Sequence, residues 1–337
     1  MPTLNVAVIV VNYNSGDLLA RCLSAIAAQT TAPKRVLVID NGSSDGAVAA
    51  CEQKFPAVEF HRMNSNLGFA KANNIAAELA TGCDWLALVN PDAFAAPTWL
   101  EEFRKGAEVH SSYRMFACCM ISDSNRQLAD GAGDLYRTDG IAWARHQGMP
   151  LTSLENTEVE VFAPSGGAAF YHRDTFLASG GFDERYFCYY EDVDLGFRLR
   201  LLGHRCLYLP KAIVFHLGSA ITGRSSDFTV YHANRNIVWT YVKNMPAPYF
   251  WYYLPSHVFA NLVMLLLFAA KGRLRVIAKA KWHAVLGLRS MVTSRKDIQK
   301  SRSVSPEDVL RSMSRDGGVR SVFRKTRRLL LSVLRGH

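Results

Sequence analysis

The sequence lacks the cysteine and leader patterns of secreted, disulfide-stapled proteins. Its seven cysteines are an odd number, with no C-x-x-C pair and no regular ladder of spacings. The first residues carry no basic stretch and run directly into strand-like sequence, so we expect no signal peptide. Reduced thiols in the cytosol are the simplest interpretation.

Two glycine-rich nucleotide-binding motifs are also missing. No G-x-G-x-x-G follows the first apolar run, which disfavours a dinucleotide-dependent dehydrogenase. The P-loop pattern G-x-x-x-x-G-K-[ST] is not found, which excludes the P-loop kinases and ATPases.

Acidic residues are scarce at the C-terminal end of the chain. Residues 271–337 hold 18 Lys and Arg but only four acids, whereas residues 1–270 hold 21 Lys and Arg and 25 acids. The formal net charge of +10 therefore describes a basic tail and says nothing about a basic cleft.

The stretch before that tail has no charge at all, because residues 244–270 contain no Asp, Glu, Lys or Arg. The aromatic cluster Tyr249–Tyr253 is typical of a lipid–water boundary. Polar residues and Pro255 interrupt the stretch and leave Val258–Ala270, 13 residues, where a span needs about 20. We expect a monotopic or re-entrant segment; a true span and an ordinary buried helix are the alternatives.

The residues that follow, from Lys271 to Leu331, alternate basic and apolar positions at helical spacing. Basic amphipathic helices beside an apolar segment suit anionic lipid headgroups. Nucleic acid is the rival partner for such charge, but the chain contains no recognised nucleic-acid-binding module, so we expect none. A solvated basic helix is the remaining alternative.

Four strand-like runs, the first of them continuously apolar and rich in Val and Ile, alternate with polar turns and helical patterns in the first part of the chain. The runs are Asn5–Val11, Arg35–Asp40, Val58–Arg62 and Trp85–Val89. This repetition predicts an open parallel α/β sheet with right-handed crossovers. Ligands of such sheets lie at the carboxyl ends of the strands, where all four polar turns fall. Without a glycine-rich motif, the sequence favours a nucleotide site made of carboxylates, amides and a metal.

The segment Tyr189–Pro210 begins with three carboxylates in four positions, Glu191, Asp192 and Asp194. A helix should follow and end at Gly203, with an apolar face made of Leu195, Leu199 and Leu202. Arg198 and Arg200 lie elsewhere on this helix. A short strand, Cys206–Leu209, should come next and end at Pro210. The helix dipole should keep Asp192 ionised at neutral pH, which makes it a candidate general base. An acidic N-cap above a solvated face is the alternative.

Seven motifs, in order over residues 5–240, resemble glycosyltransferase family 2 and are most similar to its bacterial rhamnosyltransferase-like branch. They are VNYNS (Val11–Ser15), VIDNGSSDG (Val38–Gly46), NLGFAKANN (Asn66–Asn74), LVNPD (Leu88–Asp92), PSGGAAFYHR (Pro164–Arg173), GGFDERYF (Gly180–Phe187) and YYEDVDLGFR (Tyr189–Arg198). The resemblance implies a GT-A fold over residues 1–240, an α/β fold with a mostly parallel central sheet and helices on both faces. An apolar, then basic, helical tail that associates with a membrane would occupy residues 241–337.

The resemblance also implies an inverting, single-displacement transfer of a sugar from a nucleoside diphosphate to a hydroxyl group. Asp192, paired with Glu191, matches the family's base, and Asp92 matches a ligand of Mg²⁺ or Mn²⁺. Asp40 matches the residue that pairs with the pyrimidine base. The other candidates for cofactor and donor binding are Asn12, Asn14, Asn66, Gly68, Asn90, Gly166, Gly167 and Arg224.

One departure from the family pattern concerns the metal site, because Asn90 replaces the first acid of the D-x-D motif. The cation would then be held more weakly. His216 lies where related transferases place a metal-ligating histidine; a structural histidine is the alternative. Arg224 and Arg235 could supply the charge that a single Asp does not.

The substrates follow from the resemblance alone. We expect L-rhamnose from dTDP-rhamnose, with UDP-sugars as the alternative, and an undecaprenyl-diphosphate-linked glycan acceptor at the cytoplasmic face of the inner membrane, as in O-antigen assembly. The chain has no Q-x-x-R-W motif, which disfavours a processive synthase. A non-catalytic sugar-nucleotide- or glycan-binding module should lack the base or the metal ligand, and both are present. The sequence gives no basis for an oligomeric state.

Overall fold

The computed structural model describes residues 4–218 and 226–314 of the 337-residue chain. In these residues the strands are β1 (Val6–Asn12), β2 (Arg35–Asp40), β3 (Glu59–Arg62), β4 (Trp85–Val89), β5 (Ala93–Ala95), β6 (Met115–Ser122), β7 (Ala129–Gly131), β8 (Asp134–Tyr136), β9 (Ala142–Ala144), β10 (Val159–Val161), β11 (Ala168–His172) and β12 (Cys206–His216). The helices are α1 (Asp17–Ala27), α2 (Ala47–Lys54), α3 (Phe69–Leu79), α4 (Trp99–Val109), α5 (Arg173–Ala178), α6 (Glu191–Leu201), α7 (Asp227–Asn244), α8 (Tyr249–Ala270), α9 (Leu274–Leu286), α10 (Leu288–Ser301) and α11 (Pro306–Ser312).

The main sheet is parallel in its N-terminal half and mixed beyond it. Its strand order is β10-β12-β6-β11-β4-β1-β2-β3, with β5 against β12 and β7 against β6. Strands β4, β1, β2 and β3 run parallel, which confirms the four predicted strands. Strand β11 is antiparallel to both β4 and β6 and joins the two halves. All four predicted polar turns therefore leave the same edge of the sheet.

The central parallel strands β1 and β4 consist almost entirely of buried apolar residues, because helices cover both faces of the sheet there. Along β1, Val6, Val8 and Val10 pack in one core, whereas Ala7 and Ile9 pack in the core on the opposite face. This arrangement explains why the predicted strands read as continuous apolar runs rather than alternating ones.

Helix α6 is buried on nearly every side, so the alternative of an acidic N-cap above a solvated face is wrong. Arg198 and Arg200 are both buried. Arg198 donates to Asp194 Oδ2 at 2.9 Å and to backbone carbonyls of the preceding loop, and Arg200 donates to the carbonyl of Phe162 at 2.6 Å. The two arginines serve as internal hydrogen-bond donors, which satisfies their charge without water.

Strand β12 does not end at Pro210, as the sequence predicted, but continues to His216. The register against β6 shifts between Leu209 and Ile213, which is a bulge of the kind that accommodates a proline within a sheet. The extended strand carries His216 to the ligand-binding edge of the sheet.

The C-terminal helices begin before the predicted domain boundary. Helix α7 crosses residue 240 without a break and runs to Asn244, so a division between residues 240 and 241 would cut a helix. Helix α8 is continuous over 22 residues and includes Pro255, which interrupts the apolar stretch of the sequence but not the helix. A proline removes one helix hydrogen bond but does not by itself end a helix. By length and composition, α8 is the one helix among the described residues that could cross a membrane.

A buried ionic network joins α6 to α7. Lys243 Nζ lies 2.8 Å from Asp194 Oδ2 and 2.6 Å from Asp183 Oδ2, and Asn244 donates to Asp194 Oδ1 at 2.8 Å. The side chains of Asp194 and Lys243 are 0% and 2% exposed. Such charges are tolerated in an interior only when they are paired.

We therefore expect Asp194→Ala to lower the free energy of unfolding by about 3–5 kcal/mol, because it leaves Arg198 buried without its carboxylate and Lys243 with Asp183 alone. Urea denaturation would measure the change. Glu52→Ala is the matched control, because it removes a half-exposed ion pair with Arg62 and should cost at most about 1 kcal/mol. Equal losses for the two variants would contradict the role assigned to the network.

Candidate active site

A cavity of about 760 Å³ opens at the carboxyl ends of the parallel strands. Its walls come from the turns after β1 to β4, the loop before β11, the start of α6 and the end of β12. The predicted site residues that line it are Asn14, Asn66, Gly68, Asn90, Asp92, Gly166, Gly167, Glu191, Asp192 and His216. Segments that are distant in sequence are thus brought together, including both acids expected to carry the chemistry.

Asn12 and Asp40 lie beneath the cavity wall and do not line it. Asn12 Nδ2 donates to Asp40 Oδ1 at 3.1 Å, and the Ser43 hydroxyl donates to the same oxygen at 2.5 Å. The turns after β1 and β2 are tied together further by Asn14, whose Oδ1 accepts from the Ser44 amide at 2.8 Å. Asn12 and Ser43 therefore orient Asp40, whereas Asn14 reaches the cavity itself.

The turn after β3 requires a glycine at position 68. Gly68 has a left-handed φ of 84°, and a Cβ atom there would lie 2.6 Å from the ring of Phe187. Its amide donates to Asn66 Oδ1 at 2.9 Å. The turn is thus packed directly against the loop that precedes α6.

Asp192 lies in the first turn of α6 with its carboxylate held by two backbone amides. Gly166 N donates to Oδ2 at 2.6 Å, and Val193 N donates to Oδ1 at 2.8 Å. A Cβ atom on Gly166 would lie 3.0 Å from Oδ2, so this glycine allows the loop to approach the carboxylate closely. The sequence had predicted that Gly166 approaches the sugar or the diphosphate.

Burial raises the pKa of Asp192, and the hydrogen bonds from the Gly166 and Val193 amides only partly oppose that rise. That Asp192 stays ionised at neutral pH remains a prediction, in which the helix dipole and these two amides act against desolvation. Burial and the neighbouring charge of Asp192 raise the pKa of Glu191 well above the usual range. Glu191 Oε2 is buried and has no hydrogen-bond partner in residues 4–218 and 226–314.

Asp194, the third carboxylate at the start of α6, is not available as a base. It is fully buried, faces away from the cavity lining and is neutralised by Lys243 and Arg198. Burial would raise the pKa of Asp194, but these two cations together hold it below the ordinary value. Its contribution is to the packing of α6 on α7.

Asp92, His216 and Asp130 form the second charged group of the cavity. His216 Nε2 lies 3.3 Å from Asp92 Oδ1, and His216 Nδ1 lies 2.6 Å from Asp130 Oδ2. Burial lowers the pKa of His216, but contact with Asp130 and Asp92 outweighs this and raises it to about 9. Sequence reasoning missed Asp130, because its approach to His216 depends on how β7 and β12 flank β6.

The donor set at Asp92 suits a divalent cation that takes further ligands from a substrate. No group of three or more His, Cys, Asp and Glu in the described part of the chain is arranged to hold a metal on its own. His216 Nε2 is nonetheless a buried nitrogen without a well-oriented hydrogen-bond partner among the described residues, beside a carboxylate. Asp92 and His216, the latter held by Asp130, would supply two ligands to a cation. The remaining coordination positions of the cation would be open to diphosphate oxygens.

Of the two predicted diphosphate arginines, Arg224 lies outside the described residues, and Arg235 does not line the cavity. Arg235 is buried, with Nη2 donating to the carbonyls of Arg185 and Tyr186 at 3.0 and 2.8 Å and its guanidinium stacked 4.2 Å from the centre of the Trp239 ring. Its donors are used on the protein's own backbone, which corrects the prediction that it contacts the donor.

Aromatic side chains complete the cavity lining. Tyr13, Phe187, Tyr189 and Phe228 all reach it, and Tyr13 and Phe228 are 40% and 37% exposed. Sequence reasoning did not single out these side chains, because an aromatic residue in a turn has no local signal that separates packing from ligand contact.

The chain matches the family model "Glycosyltransferase like family 2" over residues 2–246. It is 32% identical over 256 residues to the N-acetylglucosaminyl-diphospho-decaprenol L-rhamnosyltransferase of Mycobacterium tuberculosis, covering 68% of this chain and 82% of that protein. It is 22% identical over 217 residues to the O-antigen chain rhamnosyltransferase RfbN of Salmonella typhimurium, covering 63% and 66% of the two chains.

Solved structures show the same fold at low sequence identity. The mannosyltransferase PcManGT of Pyrobaculum calidifontis, solved with GDP-Man and Mn²⁺, superposes with a TM-score of 0.52 at 20% identity and covers 88% of this chain and 85% of its own. GalNAc-T7, solved with UDP, GalNAc and Mn²⁺, gives a TM-score of 0.59 at 16% identity over 74% of this chain and 49% of its own. Both are GT-A glycosyltransferases. The chain therefore belongs to glycosyltransferase family 2 and is a glycosyltransferase of the rhamnosyltransferase-like type.

Proposed function

We propose that the protein is an inverting rhamnosyltransferase that moves L-rhamnose from dTDP-rhamnose to a hydroxyl of a sugar linked to a prenyl diphosphate. The observation that carries this proposal is that Asp92 and Asp192, one hundred residues apart, line a single cavity at the edge of the sheet. The similarity to rhamnosyltransferases, one of which acts on a decaprenol-linked N-acetylglucosamine by its name, supports the choice of donor and acceptor.

The turns after β1, β2 and β3 would bind the nucleoside. Asp40, held by Asn12 and Ser43 beneath the cavity wall, would fix the turns after β1 and β2 against which thymine or uracil lies. Tyr13 offers an exposed ring at the same end of the cavity, and aromatic rings stack on nucleobases. Asn14 and Asn66 supply amide groups at this end.

The diphosphate would lie near Asp92 and His216. These residues would hold Mg²⁺ or Mn²⁺, which supplies positive charge for the departing diphosphate. Asp130 fixes the orientation of His216 through Nδ1 and leaves Nε2 directed towards Asp92. Asn90 provides an amide in place of the first acid of the D-x-D motif, so the metal site carries one negative charge fewer than the family pattern.

Asp192 would act as the general base. It would take the proton from the acceptor hydroxyl while that oxygen forms a bond to the anomeric carbon, and the carbon–oxygen bond to the diphosphate breaks with its electron pair on the diphosphate. A single displacement of this kind inverts the anomeric configuration. The two backbone amides that hold Asp192 fix its direction, and its raised pKa makes it a stronger base than an exposed aspartate.

The outward face of α8 supports membrane association of the enzyme. Its exposed large apolar side chains are Trp251, Tyr252, Val258, Phe259, Leu262 and Leu266. The neighbouring α9 adds exposed Leu274, Trp282, Val285 and Leu286 beside the exposed cations Lys271, Arg275 and Lys279. An apolar surface with a basic rim suits an anionic bilayer surface.

Contacts in the middle of α8 favour a helix that lies along the membrane over one that crosses it. His257 is buried, bonds the carbonyl of Asp139 at 2.8 Å and stacks on Tyr241 with the ring centres 4.0 Å apart. Asn261 Oδ1 accepts from Lys281 Nζ at 2.5 Å. A bilayer span would have to break these polar contacts, with the catalytic domain and with α9, at the depth of the hydrocarbon core. We therefore place the enzyme as a monotopic protein on the cytoplasmic face of the inner membrane.

The base assignment is tested by comparing Asp192→Asn with Glu191→Gln, in an assay that transfers rhamnose from dTDP-L-rhamnose to prenyl-diphospho-N-acetylglucosamine. Asp192→Asn should lower kcat by about 10²–10⁴ and leave donor binding intact, because it removes a base. Glu191→Gln should change kcat by less than about tenfold, because the amide has the shape of the uncharged carboxyl that burial favours by raising the pKa of Glu191.

The opposite pattern, with Glu191→Gln inactive and Asp192→Asn active, would assign the base to Glu191. If the wild-type enzyme turns over UDP-sugars but not dTDP-rhamnose, the donor assignment is wrong. The base assignment would then be tested with the same two variants and the UDP-sugar.

The membrane surface is tested by adding a charge to it. Leu262→Glu and Leu266→Glu, at positions 52% and 69% exposed, should abolish sedimentation with vesicles of anionic phosphatidylglycerol. Val109→Glu is the matched control, because Val109 on α4 is a 75% exposed apolar residue of the catalytic domain, and it should sediment as the wild type does. Unchanged sedimentation of both α8 variants would contradict the membrane assignment.

A further inference from the structure

The loop before α6 has an unusual backbone. Phe187, Tyr189 and Tyr190 have φ angles of 66°, 67° and 70°, in the left-handed region that bulky side chains rarely adopt. Glycine occupies that region without steric cost, but none of these three positions is a glycine. Such a backbone persists only where the surrounding structure holds it.

The side chain of Asn236, from the middle of α7, holds this loop. Asn236 is completely buried, and its Nδ2 lies 3.1, 3.0 and 2.7 Å from the carbonyl oxygens of Tyr186, Cys188 and Tyr189. Its Oδ1 accepts from Arg235 Nε at 2.8 Å. Because an amide nitrogen has two hydrogens, three carbonyls within reach satisfy it fully and fix its position.

Arg235 extends the same contact along the chain. Its Nη2 donates to the carbonyls of Arg185 and Tyr186, just before the residues that Asn236 binds. Two adjacent residues of α7 therefore bind the carbonyls of most of the segment from Arg185 to Tyr189. This use of Arg235 also explains why its guanidinium does not reach the cavity.

The loop connects the two halves of the cavity. The carbonyl of Phe187 accepts from the Ala70 amide at 3.1 Å, and its ring covers Gly68 on the side proposed for the donor. At its other end Tyr190 leads directly into Glu191 and Asp192. A change in the loop backbone would therefore move the base relative to the donor side of the cavity.

We propose that Asn236 is a positioning residue, which holds the left-handed Phe187–Tyr190 loop so that Asp192 is fixed relative to the bound sugar nucleotide. The inference rests on the proposed role of Asp192. Asn236 does not line the cavity, so it acts through the loop and not on the substrate.

Asn236→Ala should lower kcat by about ten- to a hundredfold, because a shift of the order of 1 Å at a reacting group costs about that much. Asn234→Ala is the matched control, because Asn234 is a buried residue of the same helix whose Nδ2 bonds only the α7 carbonyl of Val230, and it should cost less than about threefold. Both are measured with the sugar nucleotide that the wild-type enzyme turns over. Equal losses for the two variants would overturn the inference.

A double-variant cycle separates positioning from general damage to the fold. Tyr189→Gly removes the steric cost of the left-handed backbone at that position, so in this background Asn236→Ala should cost several times less than it does alone. An undiminished loss would mean that Asn236 does not act through the loop backbone. If Asn236→Ala does not fold, Asn236→Ser replaces it in the same comparison. The serine keeps one hydrogen-bond donor, so its kcat should lie between that of the wild type and that expected for Asn236→Ala.

Failure of this inference is distinguishable from failure of the proposed function. If Asp192→Asn is inactive and Asn236→Ala is fully active, only the positioning role is wrong. If Asp192→Asn is fully active, the base assignment on which the role depends is wrong.

Discussion

The contact between Asp194 and Lys243 is the constraint on which the arrangement of the site depends. Neither charge reaches water, and each would be strongly destabilising without the other. Helix α6 carries the proposed base. It therefore cannot separate from α7 without exposing one of these charges to water or leaving it buried without its partner. Arg198 and Asp183 extend the same network to the loops on either side.

Helix α7 connects catalysis to the proposed membrane surface. One part of it holds the loop before α6 through Arg235 and Asn236, and its C-terminal turn holds α6 itself through Lys243. Between them, Tyr241 stacks on His257 of α8. A lipid-linked acceptor bound beside α8 would thus meet a base whose position is set by the same helix, which gives a structural reason for joining the two functions in one chain.

The parts of the fold that could be predicted from the sequence are those with local signals. Continuous apolar runs identify strands covered on both faces, and polar turns at their ends identify the edge where ligands bind. The resemblance of the motifs added the roles of Asp92 and Asp192, which no periodicity could supply. Both side chains do line one cavity.

The features that were missed depend on contacts between distant segments. Arg198 and Arg200 look solvated in sequence because the carbonyls that they bind lie 17 to 39 residues earlier. Asp130 meets His216 only through the strand order around β6, and Asn236 binds carbonyls 47 to 50 residues before it. Strand β12 passes Pro210 through a bulge, which a proline in the sequence does not indicate.

The central claim is that Asp92 and Asp192 face opposite ends of one reacting bond. A crystal structure of the enzyme with dTDP-rhamnose and Mn²⁺, with anomalous scattering to locate the metal, measures this directly. The account predicts a manganese peak bound by Asp92, His216 and the diphosphate, with the Asp192 carboxylate on the far side of the rhamnose ring from the leaving oxygen. A manganese peak away from Asp92, or a sugar bound with Asp192 on the diphosphate side, would contradict it.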